Sequence, residues 1–278
     1  MKTGRKIPSP HAARTVKRQR DDVATEDRDD LAVEEPLEIR VEGRPVAVTM
    51  RTPGHDEELA AGFLLTEGVI AQREDIRAIK PVGAKGGGAE YNLINVTLVR
   101  PEAVDFARLT RHVFTASSCG LCGKATIAAV QAKLPAISPE AAPSVRREIL
   151  AAMTATLAAG QATFQRTGGL HASGLFTADG KLLVLREDVG RHNAVDKVLG
   201  HLLLSGGIEP AQAVLLVSGR VAFEIVQKAL AARIGFIAAI SAPTSLAVDF
   251  ARTSGQTLVG FLRPGRMNIY AGEDRVIE

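Results

Sequence analysis

The first third of the chain alternates apolar and polar positions in short stretches, which predicts strands around one helix. Two stretches flank Glu42-Gly43, as the strands of a hairpin flank their turn. The predicted helix opens with acidic side chains, which favour the positive end of the helix dipole, and it ends before Gly68. Together they predict a small α+β domain over residues 36–110. The elements are strands at residues 37–41, 45–50 and 91–99 and a helix at residues 55–67.

Beyond residue 168, strands alternate with helices. Residues 214–217 form a continuous apolar run, which is typical of a strand buried on both faces. This alternation predicts an α/β fold in which right-handed crossovers join the strands of a parallel sheet. An amphipathic helix at residues 144–159 precedes it, so we expect an α/β domain over residues 144–278. The other elements are a hairpin within residues 175–185, helices at residues 193–204, 222–233 and 245–252, and strands at residues 214–217, 236–240 and 257–262.

Two regions lie outside these domains. Residues 1–35 hold a basic block followed by an acidic block with almost no large apolar side chain, which predicts a disordered tail. No aromatic residue interleaves the basic positions, so a nucleic-acid partner is not expected. Residues 111–143 contain a Cys-x-x-Cys loop, a helix at residues 124–134 and a linker rich in proline and alanine at residues 135–143.

Composition narrows the class of protein. The chain has 278 residues, 46% of them hydrophobic, and a net charge of +3, as a globular protein with a real core would have. No apolar run is long enough to cross a bilayer, and the N-terminus lacks the apolar segment of a signal peptide. We therefore expect a cytoplasmic protein with no membrane partner. Its 2 cysteines are too few and too close together for a disulfide scaffold.

The cysteine pair, Cys119 and Cys122, is the first candidate for chemistry. It precedes a predicted helix and Lys124, and both the helix start and the ammonium group favour the reactive thiolate. A structural zinc ion normally takes four ligands, so a zinc site would need a second copy of the chain, and we predict no metal ligands within one chain. A thioredoxin-like motif would follow the first strand of a βαβ unit. Zinc binding and redox exchange stay open as alternatives to sulfur chemistry.

Polar turns after the predicted strands form the second candidate site. Residues 186–197 run from a strand into a helix, where backbone amides bind anionic groups, and two later turns also carry arginine. Such turns suit a large ligand with several phosphates. The alternatives are an ion-pair network, solvated surface charge and a loop histidine at residue 171. The candidate ligand contacts are His171, Asp188, Arg191, His192, Asn193, Ser218, Gly219, Arg220, Arg263 and Arg266.

Two strings give the chain a family resemblance. Residues 117–123 read Ser-Ser-Cys-Gly-Leu-Cys-Gly, and residues 188–197 read Asp-Val-Gly-Arg-His-Asn-Ala-Val-Asp-Lys. With these strings in this order, the chain resembles the formate dehydrogenase accessory sulfurtransferase (FdhD) family from about residue 36 to its end. Shorter stretches also match, at residues 52–53, 58–68, 167–172, 218–220 and 261–266.

The resemblance implies a sulfur carrier or sulfurtransferase that takes persulfide sulfur from a cysteine desulfurase onto Cys119, with Cys122 beside it as a second catalytic residue. The sulfur would pass to the molybdenum or tungsten bis(molybdopterin guanine dinucleotide) cofactor before the formate dehydrogenase apoenzyme receives it, and GDP would mimic that ligand. The resemblance also implies a cytidine-deaminase-like three-layer domain and a homodimer. A non-enzymatic cofactor chaperone with a metal-binding Cys-x-x-Cys remains the alternative. The implied cofactor-binding stretch is Phe261, Leu262, Arg263, Pro264, Gly265 and Arg266.

Deamination itself is not expected on such a fold. Zinc deaminases use His-x-Glu followed by Pro-Cys-x-x-Cys, and the glutamate moves the proton. In this chain the cysteine pair comes first and lacks the proline, and the nearest counterpart of His-x-Glu is His171-Ala172-Ser173. The residue that would move the proton is therefore absent from the motif.

Overall fold

The computed structural model describes residues 8–82, 92–106 and 134–278. Cys119, Cys122 and most of the predicted helix at residues 124–134 lie outside these ranges. Within the described part, the chain is a mixed α/β protein with several sheets. No helix of that part is both long and apolar enough to cross a membrane.

The helices are α1 (Asp56–Thr66), α2 (Arg147–Gly160), α3 (Ala162–Thr167), α4 (Arg191–Ser205), α5 (Phe223–Ala231) and α6 (Ser245–Thr253). The strands are β1 (His11–Arg20), β2 (Val23–Ala32), β3 (Glu35–Val41), β4 (Arg44–Arg51), β5 (Ile76–Pro81), β6 (Leu93–Leu98), β7 (Val145–Arg146), β8 (His171–Thr177), β9 (Leu182–Asp188), β10 (Ala213–Val217), β11 (Phe236–Ala239), β12 (Thr257–Arg263), β13 (Arg266–Ala271) and β14 (Val276–Ile277).

A four-stranded sheet in the order β4-β3-β6-β5 forms the N-terminal unit together with α1. The predicted hairpin is confirmed as β3 and β4, which pair antiparallel around Glu42 and Gly43. Both turn residues have positive φ, 51° and 76°, as the tight hairpin turn requires. The predicted helix is confirmed as α1, and the predicted strand at residues 91–99 is confirmed as β6.

A six-stranded sheet in the order β13-β12-β11-β10-β8-β9 forms the C-terminal unit. Its centre, from β10 to β12, is parallel as predicted, whereas β8, β9 and β13 pair antiparallel with their neighbours. The helix predicted from residue 144 begins only at Arg147, because Val145 and Arg146 pair with β14. A local helical pattern gives no sign of a strand partner 131 residues further along the chain.

Helices cover both faces of the six-stranded sheet. On one face, α2 buries Leu150, Met153 and Leu157 against strand side chains such as Phe176 and Val214. The opposite face packs against α4, α5 and α6, in a core that also takes in α1 and the inner face of the four-stranded sheet. The two units therefore share one core. The relation to cytidine deaminases stays a prediction.

Helices α1 and α4 approach each other so closely that their backbones touch. A Cβ atom at Gly62 would lie 1.8 Å from the backbone oxygen of Asp196, and one at Gly200 would lie 1.8 Å from that of Glu58. Only glycine leaves room for this crossing. The crossing matters for the site because α4 begins at the polar turn and α1 follows directly after β4.

The predicted disordered tail is wrong for residues 11–32, which form a hairpin of β1 and β2. The basic and acidic blocks, read separately, predict two solvated segments. A turn at Asp21 and Asp22 brings them into antiparallel register, so that Arg18 lies 2.7 Å from Asp27. The base of the hairpin is held to α3 by an ion pair between Asp30 and Arg166 at 2.8 Å.

Candidate functional site

The predicted polar turns lie along one edge of the six-stranded sheet. β10, β11 and β12 run parallel, and antiparallel β8 begins where β10 ends. His171, at the start of β8, pairs with Asp188 at the end of β9. Ser218, Ser241 and Phe261 belong to the ends of β10, β11 and β12 or to the turns that follow them. These turns therefore share one edge of the sheet.

Gly219 lies at the centre of this edge. Ser218 makes two hydrogen bonds with Ala172, each 2.9 Å long. Its amide donates to the Ala172 carbonyl, and its hydroxyl accepts from the Ala172 amide. A Cβ atom at Gly219 would lie 3.3 Å from Nδ1 of His171 and 3.5 Å from Cβ of Arg191. The glycine therefore lets the start of α4 and the start of β8 lie against the same turn.

Arg191 and His192, at the start of α4, each have a buried polar atom without a partner. Nε of Arg191 and Nε2 of His192 are shielded from solvent and form no hydrogen bond among the described residues. In native proteins almost every buried polar group has a hydrogen-bond partner, so these two unpartnered atoms need an explanation. A polar ligand at the edge of the sheet would supply partners for both.

The site is positive through guanidinium groups rather than imidazoles. Burial, followed by the charge of Arg191, lowers the pKa of His171. Burial, again followed by Arg191, lowers the pKa of His192 to about 3. Both histidines are therefore neutral at neutral pH, and the positive charge comes from Arg191 and the exposed Arg220. This arrangement favours an anionic ligand that also offers neutral hydrogen-bonding groups.

Asp188 and Asn193 belong to a buried hydrogen-bonded framework beside β4, and their role as ligand contacts stays a prediction. Asp188 is fully buried, pairs with Lys197 at 2.7 Å, and accepts hydrogen bonds from the Gly190 amide and the Asn193 side chain. Asn193 also donates to the Met50 carbonyl at 2.7 Å. Both carboxylate oxygens of Asp188 are therefore hydrogen-bonded within the protein.

Thr52 also belongs to this hydrogen-bonded framework, although the sequence pattern did not identify it as a site residue. It is 2% exposed and follows the end of β4. Its amide donates to Asp188, and its hydroxyl accepts from the Val189 amide. Its carbonyl accepts from Lys197 at 2.8 Å. The only signal in the sequence was the Thr52-Pro53 match to the family.

The ion-pair alternative is correct for part of residues 186–197. Arg186 makes a two-pronged pair with Glu58, at 2.5 Å and 2.7 Å. Burial raises the pKa of Glu58, but hydrogen bonds from Arg186 and two histidines outweigh it and hold that pKa far below its usual range. Asp196 pairs with Lys228 on α5 at 2.7 Å. These pairs join α4 and β9 to α1 and α5 and leave the open edge to Arg191, His192 and Arg220.

The predicted cofactor-binding stretch divides into buried and exposed parts. Leu262 is fully buried in the core and lies at a register shift between Gly260 and Arg263, and its role as a ligand contact stays a prediction. Arg263 donates to the Ile240 carbonyl at 2.6 Å. Phe261 is 44% exposed, with φ at 52°, a value that is rare for a bulky residue. The exposed members are Phe261, Pro264, Gly265 and Arg266.

The comparisons with known proteins agree on one family. A family model described as the FdhD/NarQ family matches residues 32–277. The chain belongs to the FdhD/NarQ family. Its relatives include the Sulfur carrier protein FdhD of Streptomyces coelicolor, 51% identical over 267 residues that cover 95% of this chain and 94% of the relative. The protein of the same name from Mycobacterium tuberculosis is 51% identical over 255 residues, or 88% and 91% of the two chains.

A solved structure shows the same fold. The crystal structure of a protein from Desulfotalea psychrophila, described as a formate dehydrogenase accessory protein, superposes with a TM-score of 0.74 at 25% identity. The match covers 97% of this chain and 100% of the other. The FdhD/NarQ match begins at the end of β2, so the β1–β2 hairpin lies almost wholly outside it.

Proposed function

We propose that this chain is a sulfur carrier in the maturation of formate dehydrogenase, with Cys119 as the catalytic residue that carries the sulfur. The names of its relatives, sulfur carrier and formate dehydrogenase accessory protein, support the role. The position of the Cys119 to Cys122 pair before a predicted helix favours a thiolate, which persulfide exchange requires. We also propose that the protein is cytoplasmic, that it forms a homodimer, and that its C-terminal unit is a cytidine-deaminase-like domain.

The observation that carries the ligand side of this proposal is the pair of unpartnered buried atoms on Arg191 and His192 beside Arg220. Guanidinium groups bind diphosphates through paired hydrogen bonds, and neutral imidazole can bind a base or sugar group. The substrate we propose is the bis(molybdopterin guanine dinucleotide) cofactor of molybdenum or tungsten. GDP is its simplest mimic, and exposed Phe261 and Arg266 extend the same edge.

The proposed sulfur transfer takes two steps. The Cys119 thiolate attacks the terminal sulfur of a cysteine desulfurase persulfide; the donor S–S bond breaks, a new S–S bond forms on Cys119, and the desulfurase thiolate leaves. At a reduced metal centre, the terminal sulfur takes two electrons from the metal as the second S–S bond breaks. The sulfur stays as a sulfido ligand, and Cys119 leaves as a thiolate ready for another cycle. The apoenzyme of formate dehydrogenase then receives the cofactor.

Mass spectrometry after incubation with a cysteine desulfurase and cysteine tests the carrier step. We expect a gain of one sulfur atom that maps to Cys119, no gain in Cys119→Ser, and a gain retained in Cys122→Ser. The contrary result is a wild type that takes up no sulfur and binds about one zinc per dimer, which would favour a non-enzymatic chaperone with a metal-binding cysteine pair.

Calorimetry with GDP tests the ligand site separately. We expect Arg191→Ala to weaken GDP binding by about tenfold to a hundredfold, since a charge-assisted hydrogen bond and its charge are lost. Arg14→Ala is the matched control, because it removes an exposed guanidinium from the β1–β2 hairpin, away from the site. Equal weakening by both variants, or no GDP binding by the wild type, would refute the proposed ligand.

A further inference from the structure

Thr52 holds the turn between β9 and α4 from the side of the N-terminal unit. All three of its polar groups are engaged there: the amide with Asp188 at 3.1 Å, the hydroxyl with the Val189 amide at 3.2 Å, and the carbonyl with Lys197 at 2.8 Å. With 2% of its surface exposed, Thr52 has no room to contact a ligand itself. Any effect on the site must therefore pass through the turn.

The turn is short enough for this hold to matter. β9 ends at Asp188 and α4 begins at Arg191, so Val189 and Gly190 alone connect them. The Gly190 amide is bound to the Asp188 side chain at 2.8 Å, and the Val189 amide is bound to the Thr52 hydroxyl. Since both connecting amides are fixed, the direction in which Arg191 leaves the turn is fixed as well.

We propose that Thr52 is a positioning residue of the ligand site: its hydroxyl sets the turn so that Arg191 and His192 present their unpartnered atoms to the ligand. The inference rests on the proposed function, because it takes the anionic ligand to be a guanine nucleotide. It adds that the N-terminal unit, through Thr52, controls binding at this edge. Thr52 thereby has a role in ligand binding that the sulfur chemistry does not require.

A purely structural Thr52 predicts a different result from a positioning Thr52. If its hydroxyl only fills space, the isosteric change Thr52→Val alters stability and leaves affinity for GDP unchanged. If the hydroxyl sets the turn, Thr52→Val leaves the Val189 amide without an acceptor, and the turn relaxes. Arg191 then has to be reoriented when the ligand binds, and affinity falls.

The test compares GDP binding by the wild type, Thr52→Val and Thr52→Ser, with melting temperatures recorded alongside. We expect Thr52→Val to bind GDP about tenfold more weakly, and Thr52→Ser, which keeps the hydroxyl, to bind within about twofold of the wild type. Thr154→Val is the matched control. It removes a largely buried threonine hydroxyl that is bonded to the Ala151 carbonyl on α2, across the sheet, and should leave GDP affinity unchanged.

Hydrogen exchange gives an independent measurement. The Val189 amide of the wild type should exchange slowly without ligand, and it should exchange faster in Thr52→Val but not in Thr154→Val. A folded Thr52→Val that binds GDP as the wild type does overturns the inference, and so does a Val189 amide that exchanges freely in the wild type. Should the wild type fail to bind GDP, the proposed ligand is wrong, and the exchange data still decide whether Thr52 holds the turn.

Discussion

Lys197 and Asp188 form an ion pair that is sealed from solvent, with side chains 1% and 0% exposed. A buried charge is tolerated only when its partner and its remaining hydrogen bonds are present. Here the Lys197 ammonium also donates to the Thr52 carbonyl, and Asp188 accepts from the amides of Thr52 and Gly190. The pair therefore ties β4, β9 and α4 together directly beneath the ligand edge.

Removing one member of that pair should be costly. We expect Lys197→Met to lower the free energy of unfolding by about 3–5 kcal/mol, because it leaves Asp188 buried without a counter-charge. Denaturant titration measures the loss. The control is Arg18→Met, which breaks the exposed Arg18–Asp27 pair and should cost less than about 1 kcal/mol. Similar losses in both variants would show that burial of the Lys197 pair is not what matters.

His192 makes stability depend on pH. Burial and the charge of Arg191 lower its pKa from 6.5 to about 3, so below pH 6.5 the unfolded chain takes up a proton that the folded chain does not. The contribution is complete above pH 6.5 and is lost between about pH 6.5 and 3, by up to about 1.4 kcal/mol per pH unit. Between pH 7 and 5, the wild type should lose about 2 kcal/mol more than His192→Gln.

Unfolding free energies of the two proteins at pH 8, 7 and 5 check this expectation. The interval from pH 8 to 7 is the internal control, because the His192 imidazole is neutral there in the folded chain and mostly neutral in the unfolded chain. The difference between the proteins should stay constant over that interval and change only below pH 6.5. Parallel curves down to pH 5 would show that His192 is not shielded in the way described.

At the scale of elements, the crossing of α1 and α4 depends on two glycines. Alanine in place of an ordinary helical glycine stabilises by about 1 kcal/mol, but at this crossing the sign should reverse. We expect Gly200→Ala to destabilise by at least about 3 kcal/mol, because its Cβ would lie 1.8 Å from a backbone oxygen of α1 that cannot rotate away. Thermal or chemical unfolding measures the change.

Gly160→Ala, at the end of α2, is the matched control for that change. Its Cβ would meet Cδ1 of Leu185 at 2.8 Å, and a leucine methyl can move by rotating its side chain. The effect should stay within about 1 kcal/mol. If Gly200→Ala proves as mild as Gly160→Ala, the two helices do not meet as closely as described.

Elements with a local signal were predictable, and those that depend on distant partners were not. Periodicity predicted α1, α4 and the strand at residues 214–217, since their apolar positions follow from burial alone. It missed the β1–β2 hairpin, whose residues pair by charge across a turn. In the site, sequence located the turns, but it took Asp188 and Leu262 as ligand contacts. Both side chains are buried, Asp188 in its pair with Lys197 and Leu262 in the core beside the register shift in β12, and this burial has no local signal in the sequence.

At the scale of the whole molecule, the two units are held by one core. Leu59 and Leu64 of α1 pack in the same cluster as Val198 and Leu199 of α4, and strands of both sheets contribute to it. Two polar contacts cross the same boundary: the ion pair of Arg186 with Glu58, and the hydrogen bond that the Thr66 hydroxyl of α1 donates to Asp196 of α4. Separating the units would expose large apolar surfaces, so we expect the two units to unfold together in one transition.

Fragments of the chain test this expectation. We expect residues 36–106 and residues 134–278, each expressed alone, to lack cooperative unfolding, because each loses the other half of the shared core. Residues 33–278, which lack the β1–β2 hairpin and the residues before it, should unfold in one transition, since an isolated two-stranded hairpin contributes little and is tied to α3 through Asp30. Near-UV circular dichroism and hydrogen exchange distinguish these outcomes. A fragment of residues 134–278 that folds alone and binds GDP would show that the site does not need the N-terminal unit, contrary to the role proposed for Thr52.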